Sequence, residues 1–476
     1  MPKINLKVSA FTSIPEIFLK NKLVKTKPFI KQFKKTYNTK NVVCQLSKEK
    51  ENERKDWLES VLSVRNQPEK KYLDKWRKVG VNLIKGLPFP SKSDESWKLT
   101  SLDSIFEMRF SNNENNFDSE SIQNSLEGYD GARIVFVNGV YSEKFSDFSS
   151  LPNEVFIGDI KDYQDEGMDN PLESLSKGES GINGGFFPTL NIACLSELYI
   201  LSIPPNLELE DPINIIYIGS DDQSISSYNH RFILISGENS KSKIIEHHIG
   251  MENCVYLDNN AISIITKEKS MLDFFLINES SNKSVFISSI HAEIKENSSL
   301  NFSTISLGGV FSRVNLGVDI NGTNCVCNIK GASVANDKQI SDFHSRISHN
   351  LPNSKSSQLQ KILLTDKAHG VFAGKIQVQH GAGNTSSDQL CKTLLLSPSS
   401  RIDALPILEI NNENVKCTHG STVSDLDTNQ LFYLQSRGIP QGEAKNLLTI
   451  GFINEMVNEY PEMLRSKILK KLNFLM

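Results

Sequence analysis

A thiol and an imidazole lie two residues apart near the C-terminus, at Cys417 and His419. If residues 415–420 are extended, alternation along the strand puts both side chains on the same side. A thiolate with a neutral imidazole is a plausible ligand pair for iron or zinc. Two ligands do not complete a site, so any metal here needs ligands from elsewhere in the chain or from a partner. The alternative is an inert buried thiol beside a hydrogen-bonded histidine.

Other reactive side chains are interpreted as structural. Adjacent His247 and His248 would face opposite sides of a strand and could not share a ligand. Cys325 and Cys327 would face one side together and are predicted to be small core residues. A further polar group is expected to lie in turns and to hydrogen-bond exposed backbone, rather than to form a metal or acid-base site: Asp342, His344, His349, His369 and His380.

Several classes of activity are excluded by missing motifs. The sequence has no phosphate-binding Gly-x-x-x-x-Gly-Lys-Ser/Thr loop, no His-Glu-x-x-His, no Gly-x-Ser-x-Gly and no dinucleotide-binding glycine pattern. The chain therefore does not look like a stand-alone NTPase, metalloprotease or hydrolase, and we expect no ATP site in it. No apolar run approaches the roughly 18 residues of a spanning helix, so the chain is predicted not to be membrane-embedded.

The charge is unevenly distributed. Residues 1–44 contain ten Lys, no Arg and one acidic residue, Glu16, giving +9; the remainder has 42 basic and 55 acidic residues, or −13. This segment is predicted to be a transit peptide or, alternatively, a disordered basic leader. The acidic body makes nucleic acid an unlikely ligand. Seven scattered cysteines without a Cys-x-x-Cys motif indicate a reducing compartment.

The periodicity of the apolar residues predicts a mainly β core between helical segments. Helical spacing dominates from about 53 to 110, short β-type runs from about 132 to 415, and helical spacing again after 420. Four apolar positions that follow polar turns recur at intervals of 28, 28 and 26 residues: Ile244, Leu272, Leu300 and Val326. Such a period predicts a β-solenoid, and an evenly spaced β-sandwich is the alternative. The predicted regions are 1–44, 45–125 (helical), 126–420 (solenoid) and 421–476 (helical).

Start and stop signals divide the C-terminal region into helices. Asp427, with Gln430 three residues later, predicts the capped N-terminus of a helix, and Gly438 predicts the end of that helix. Pro440 begins the next helix, and a last one starts near 462. One apolar face is predicted for the middle helix: Ala444, Leu447, Leu448, Phe452 and Met456.

A long ordered set of residues resembles the SufB/SufD family of the SUF iron-sulfur cluster assembly system, most closely its SufD members. The resemblance covers about 205–455, and residues 94–100 are similar to the family's N-terminal Glu-x-Trp/Phe-Arg-x-Thr element. It is carried by the following segments and residues: 342–349, Pro352, Ser354, Ser357, Gln358, Lys361, 370–378, Thr385, Gln389, 394–397, 415–420 and 432–438.

The resemblance implies a right-handed parallel β-helix flanked by helices. It also implies a heterodimer with SufB through the last β-helix strands, and the ATPase SufC docked on the C-terminal helices. SufB-like chains carry a cysteine where this chain has residues 399–401, and Glu-His-Glu-Ala where it has 417–420. The family links the histidine at His419 to cluster formation at the SufB interface.

The resulting hypothesis is a SufD-type scaffold, not itself an enzyme, that helps admit iron or form a nascent Fe-S cluster shared with SufB. His419 is the proposed iron ligand, and Cys417 is either a second ligand or structural. A plastid stroma location follows if the leader is a transit peptide, and otherwise the cytoplasm. A SufB-like primary scaffold and a β-helix enzyme acting on polysaccharide stay open as alternatives, as does flavin binding by the assembly.

Overall fold

The computed structural model describes residues 39–64, 70–111, 117–129, 131–163, 171–181, 184–220 and 224–475. Most of the predicted basic leader, residues 1–44, lies outside these ranges. The chain separates into two compact units, Met1–Glu53 and Arg54–Met476. The described part of the first unit is the beginning of helix α1 (Thr39–Ser63), and the second unit contains the rest of that helix and all the strands.

Parallel strands of the second unit form a β-solenoid of about eight turns, as the sequence predicts. Sheet A has the strand order β2-β1-β5-β8-β10-β12-β14-β16-β18-β20, and sheet B the order β19-β17-β15-β13-β11-β9-β7-β4-β3, with β6 beside β9. The strands are β1 (Arg133–Val137), β2 (Val140–Tyr141), β3 (Phe156–Asp159), β4 (Glu197–Ile203), β5 (Ile213–Gly219), β6 (Ser226–Tyr228), β7 (His230–Ser236), β8 (Lys241–Gly250), β9 (Tyr256–Thr266), β10 (Met271–Glu279), β11 (Val285–Ile294), β12 (Ser299–Ser306), β13 (Phe311–Ile320), β14 (Val326–Ala335), β15 (Ile340–His349), β16 (Lys355–Leu364), β17 (His369–Val378), β18 (Thr385–Leu395), β19 (Arg401–Ile410) and β20 (Val415–Ser424).

Each turn of the solenoid consists of one sheet B strand followed by one sheet A strand, and apolar side chains fill the space between the sheets. Phe274 and Phe302 stack there with ring centroids 5.6 Å apart. Cys325 and Cys327 are buried in the same core, which confirms their prediction as core residues. Because every turn buries its inward side chains against its neighbours, the whole stack shares one continuous core.

The corner from sheet B to sheet A needs a left-handed backbone conformation, and asparagine supplies it in most turns. Positive φ values occur here at Asn206, Asn239, Lys269, Asn297, Asn324, Asn353 and Asn384. Asparagine tolerates this conformation better than other residues with a β-carbon. The amides also stack, since Nδ2 of Asn384 donates to Oδ1 of Asn353 (3.1 Å) and Nδ2 of Asn414 to Oδ1 of Asn384 (2.7 Å).

The register shows that the predicted repeat is only partly aligned. Leu272 pairs with Leu300, as predicted. On the preceding strand, however, Leu272 pairs with Ser242 instead of Ile244, and on the following strand Leu300 pairs with Cys327 instead of Val326. Val326 is 36% exposed. Turn lengths vary from coil to coil, and a shift of one residue moves a side chain to the opposite face of a sheet.

The N-terminal helices pack on the outside of the solenoid, most of them on sheet B, while the helix at residues 119–125 buries Ile122 in the apolar cluster on the outer face of sheet A. The helices are α1, α2 (Asp74–Ile84), α3 (Asp103–Phe106), α4 (Ser119–Ser125) and α5 (Phe186–Ala193), with 3-10 turns at Lys71–Leu73, Ile160–Asp162 and Pro171–Ser176. Trp57 of α1 is fully buried among aromatic residues that pack on sheet B. At Gly80 a β-carbon would lie 2.4 Å from the backbone nitrogen of Ala193, so only glycine permits this approach of α2 to α5.

A buried ion pair fastens the segment around residues 94–100 to sheet B. The indole of Trp97 stacks on the Arg313 guanidinium at 3.7 Å, and Arg313 Nη1 donates to Asp342 Oδ2 (2.8 Å). Thr100 Oγ1 donates to the same oxygen (2.8 Å). Burial would raise the pKa of Asp342, but Arg313 and the other donors hold it at about 2, so the carboxylate stays charged.

Of the three C-terminal helices, the last two pack on the outer face of sheet A, and the first, which has no buried residue, contacts the second. They are α6 (Thr428–Ser436), α7 (Gln441–Val457) and α8 (Glu462–Leu475). Asp427 caps α6 by accepting from the backbone of Asn429 and Gln430, as predicted. The predicted apolar face of α7 is wrong at Leu447, which is 53% exposed, because the helix is rotated to bury Thr449 and Ile453 instead. None of the described helices is long and apolar enough to cross a bilayer.

Candidate functional site

The solenoid ends at an open turn made by β19 and β20. Each strand has ten residues and stands last in its sheet. Their side chains are half-buried or exposed, whereas those of the preceding coils are mostly buried. An unpaired strand edge presents a row of free backbone donors and acceptors, which is a template for strand addition by another chain. Both sheets therefore end in a surface suited to a protein partner.

Cys417 and His419 lie on β20 at this open end. Cys417 pairs with Ser387 and His419 with Gln389 on β18, whose side chains point into the solenoid. Cys417 packs against the buried cluster of Ile376, Val378 and Ala382, so alternation directs His419 inward as well. The prediction that the two share one side is confirmed. Cys417 is half-buried and His419 is exposed.

The two side chains differ in readiness to bind a metal. Burial raises the pKa of the Cys417 thiol, and a hydrogen bond from the backbone of Ser387 only partly opposes this. A raised pKa favours the thiol over the thiolate that ligates metals. A neutral imidazole has a lone pair for a metal and His419 is exposed, so His419 is the more accessible candidate ligand of the pair.

Polar side chains continue inward from this pair. Ser387 Oγ lies 2.7 Å from Ser356 Oγ, which lies 2.9 Å from His349 Nε2. Beside this row, Gln389 Nε2 donates to Gln358 Oε1 (2.8 Å). His349 is completely buried, and burial lowers its pKa to about 4, so it is neutral at physiological pH. The last coils thus have a hydrogen-bonding interior.

No metal-holding group of three or more His, Cys, Asp or Glu side chains occurs within the part of the chain that the structure describes. Cys417 and His419 form a pair without a third such ligand nearby in that part. The pair supplies two candidate ligands at the edge of the solenoid. Further ligands for an iron ion would have to come from whatever covers the edge.

The prediction that the second polar group lies in turns is wrong for four of its five members. Asp342, His344 and His349 lie within β15, and His369 begins β17. Asp342 and His344 face outward, with His344 Nε2 2.9 Å from Asp342 Oδ1, while His349 faces inward. Asp342, His349 and His369 have partners on other strands, which a strand pattern alone does not identify. His380 is exposed in a turn, as predicted.

A buried charged cluster was not predicted from the sequence. His248 lies 2.6 Å from Asp258 and 2.7 Å from Glu246, all inside the solenoid, and Tyr217 stacks on its ring at 4.5 Å. His247 faces outward and contacts Tyr129, which confirms that the adjacent histidines face opposite sides. The available signal was the two-residue spacing of Glu246 and His248, which puts both on one face of a strand.

A cavity of about 590 Å³ opens on the outer face of sheet B. It is lined by Trp97, by the start of α5 and by outward residues of the last four strands of sheet B. Its cations already have carboxylate partners: Arg313 pairs with Asp342, Arg346 with Glu179 and Lys375 with Glu409. Cys417 and His419 do not line this cavity.

Comparison with known proteins identifies related chains. Residues 217–452 match the family described as SUF system FeS cluster assembly, SufBD core domain, and residues 50–215 match the SufBD protein N-terminal region. An iron-sulfur cluster assembly SufBD family protein of Synechocystis is 27% identical over 81% of this chain and 87% of its own length. Arabidopsis thaliana protein ABCI7, chloroplastic, is 25% identical (82% and 83%). The Escherichia coli iron-sulfur cluster assembly protein SufD is 24% identical (80% and 87%).

Proposed function

Because the chain belongs to the SufB/SufD family of iron-sulfur cluster assembly proteins, we propose that it is a SufD-type scaffold subunit of a SUF assembly complex. In this role it pairs with SufB through the open end of its solenoid, and His419 helps iron enter or a nascent cluster form at that interface. Iron and the cluster are cargo, and the chain acts as a scaffold without being an enzyme. The observation that carries the proposal is the position of His419 on the unpaired last strand.

The edges of β19 and β20 support pairing with SufB. Both strands expose ten residues of backbone at the end of their sheets, and Ile410 and Val423 expose 42% and 51% of their surface there. A partner strand would satisfy the backbone groups and cover these apolar side chains. It would also bring ligands to complete the partial site of Cys417 and His419.

The C-terminal helices support docking of the ATPase SufC. Phe432 and Tyr433 on α6 expose 72% and 57% of their surface, and Leu447 on α7 exposes 53%. Large aromatic residues are enriched in protein interfaces. Helix α7 is held to the solenoid by Lys361, which donates to the Phe452 carbonyl (2.7 Å) and pairs with Glu455 (2.6 Å). Movement of the helices would therefore be transmitted to sheet A.

A plastid stroma location is proposed from two independent features. Residues 1–44 carry a net charge of +9, and the relative from Arabidopsis is named as chloroplastic. N-terminal sequencing of the mature protein from its native source tests this assignment. A mature N-terminus near residue 44 supports import, and an intact leader contradicts it.

The function is tested by co-expressing the chain with SufB and SufC and comparing the wild type with His419→Ala. We expect the complex to keep its composition by size-exclusion chromatography, while iron and acid-labile sulfide fall at least tenfold. His380→Ala is the matched control, since it removes an exposed histidine from a turn of the same solenoid. Wild-type cluster content in an intact His419→Ala complex would show that the ligand role is wrong.

A further inference from the structure

A column of amide and hydroxyl groups inside the solenoid leads to the position of His419. Gln358 Nε2 donates to Ser345 Oγ (2.8 Å), and Gln389 Nε2 donates to Gln358 Oε1 (2.8 Å). Gln358, Gln389 and His419 are in register on β16, β18 and β20. Each side chain therefore lies one strand spacing beyond the last, and His419 occupies the final position.

The column ends in a buried acceptor without a partner. Gln389 is only 2% exposed, and its Oε1 has no hydrogen bond within the described parts of the chain. Unpaired buried polar atoms are rare and call for an explanation. The amide of Gln389 lies against Gly374, where a β-carbon would be only 2.3 Å from Gln389 Nε2. Glycine at position 374 thus leaves the space that the amide fills.

The asparagine column at the corners shows how such a ladder continues. There the amide nitrogen of Asn384 donates to Asn353 of the preceding coil, and the amide oxygen of Asn384 accepts from Asn414 of the following one. Gln389 donates to the preceding coil in the same sense. Its oxygen is therefore available to the following coil, where the in-register residue is His419.

We propose that Gln389 is a positioning residue for His419, and that its Oε1 accepts a hydrogen bond from the ring N–H of His419. A histidine that donates through one ring nitrogen presents the lone pair of the other. Hydrogen bonds of this kind fix the tautomer and orientation of metal-binding histidines, and their loss typically lowers metal affinity 10- to 100-fold. An amide oxygen accepts such a hydrogen bond without placing a negative charge beside the ring. The consequence for iron rests on the proposed function, but the hydrogen bond does not.

The hydrogen bond is tested in the full-length chain labelled with ¹⁵N-histidine, at a pH where exposed histidines are neutral. His419→Ala identifies the His419 signals by their loss. We expect one tautomer of His419 in the wild type and, in Gln389→Met, a shift toward the mixture of a free imidazole. Gln360→Met is the matched control, since it removes another buried amide of the same interior, in register with Cys391, and should leave the tautomer unchanged.

The outcomes separate the two proposals. Equal tautomer populations in the wild type and Gln389→Met, with both chains folded by circular dichroism, overturn the positioning role. If the populations shift, the affinity of the co-expressed complex for iron should be about 10- to 100-fold lower with Gln389→Met than with the wild type. Failure of His419→Ala to reduce the cluster refutes the proposed function but leaves the tautomer result standing.

Discussion

Two groups of inward side chains in the same solenoid contain histidine, and they differ in what surrounds the ring. Near its start, carboxylates of Glu246 and Asp258 occupy both nitrogens of His248. At its open end, the neighbour of His419 on the preceding strand is the amide of Gln389. The first histidine is closed in by later coils, and the second is exposed.

The difference shows how one fold makes a histidine structural in one place and available in another. Burial alone would lower the pKa of His248, but Asp258 and Glu246 raise it to about 9, so the ring is charged and both nitrogens donate. A charged imidazole has no lone pair for a metal. At the open end, the neighbours of His419 on the adjoining strand are amides and hydroxyls, which place no negative charge beside the ring. The following changes test this contrast, beginning with the largest expected effect.

Asp258→Asn should destabilise the protein by about 3–5 kcal/mol, because it leaves His248 and Glu246 in an incomplete buried ion-pair network. Asp258 is 2% exposed, so water cannot replace the lost carboxylate. Urea unfolding followed by circular dichroism measures the change. Asp403→Asn is the control, since Asp403 pairs with His369 at the open end with 43% of its side chain exposed. A loss for Asp258→Asn no larger than that of the control contradicts the structural role.

Raising the pH should weaken the closed histidine cluster. The pKa of His248 in the folded chain, about 9, lies above the ordinary 6.5. The stabilising contribution of the charged His248 ring is therefore complete below pH 6.5 and is lost as the pH rises through 9. The pKa difference corresponds to about 3 kcal/mol. Unfolding free energies measured at intervals across this window should fall in the wild type and much less in His248→Asn. If the unfolding free energies of the wild type and His248→Asn changed equally with pH, the raised pKa of His248 would be disproved.

Lowering the pH should weaken the interior of the last coils instead. Burial lowers the pKa of His349 to about 4, below its value in the unfolded chain. The unfolded state therefore takes up a proton first, and stability is lost as the pH falls from 6.5 to 4. The expected loss is up to about 3 kcal/mol, somewhat less if water enters beside Ser356. His349→Asn should remove this slope, and the wild-type-minus-variant difference in unfolding free energy measures it. A pH-independent difference would mean that His349 titrates normally.

His419→Ala should change the free energy of unfolding by less than about 0.5 kcal/mol, because the side chain is exposed. This is the smallest of the expected stability effects. It sharpens the contrast between His248 and His419, because the same substitution is expected to remove cluster from the assembled complex. Thermal unfolding of the isolated chain measures it. A loss above 2 kcal/mol would place His419 with the structural histidines.

Local sequence signals predicted much of this structure for physical reasons that can be named. The Asp427 cap depends on side-chain bonds to the next two or three backbone nitrogens, and these are local. The common side of Cys417 and His419 follows from strand alternation alone. Register was harder: the predicted repeat aligned Val326 with Leu300, but Cys327 takes that position in the sheet.

The orientation of α7 also escaped prediction. The helical spacing of its apolar residues permits several buried faces, and contact with sheet A selects the one that includes Ile453 and leaves Leu447 in solvent. The charged cluster around His248 was missed for a related reason. Asp258 follows ten residues later, on the opposite sheet, and only the stacking of the coils brings it to the ring.

The sequence by itself determined the mainly β solenoid, its helical flanks, its family and the pairing of a thiol with an imidazole near the end, because these depend on period, turn chemistry and alternation. Only the tertiary structure decided that β20 is the last strand of its sheet, that Cys417 is half-buried while His419 is exposed, and that Gln389 lies beneath His419. The physical reason is that the environment of a side chain in a solenoid is set by the coils stacked on either side of it, and at this end there is only one.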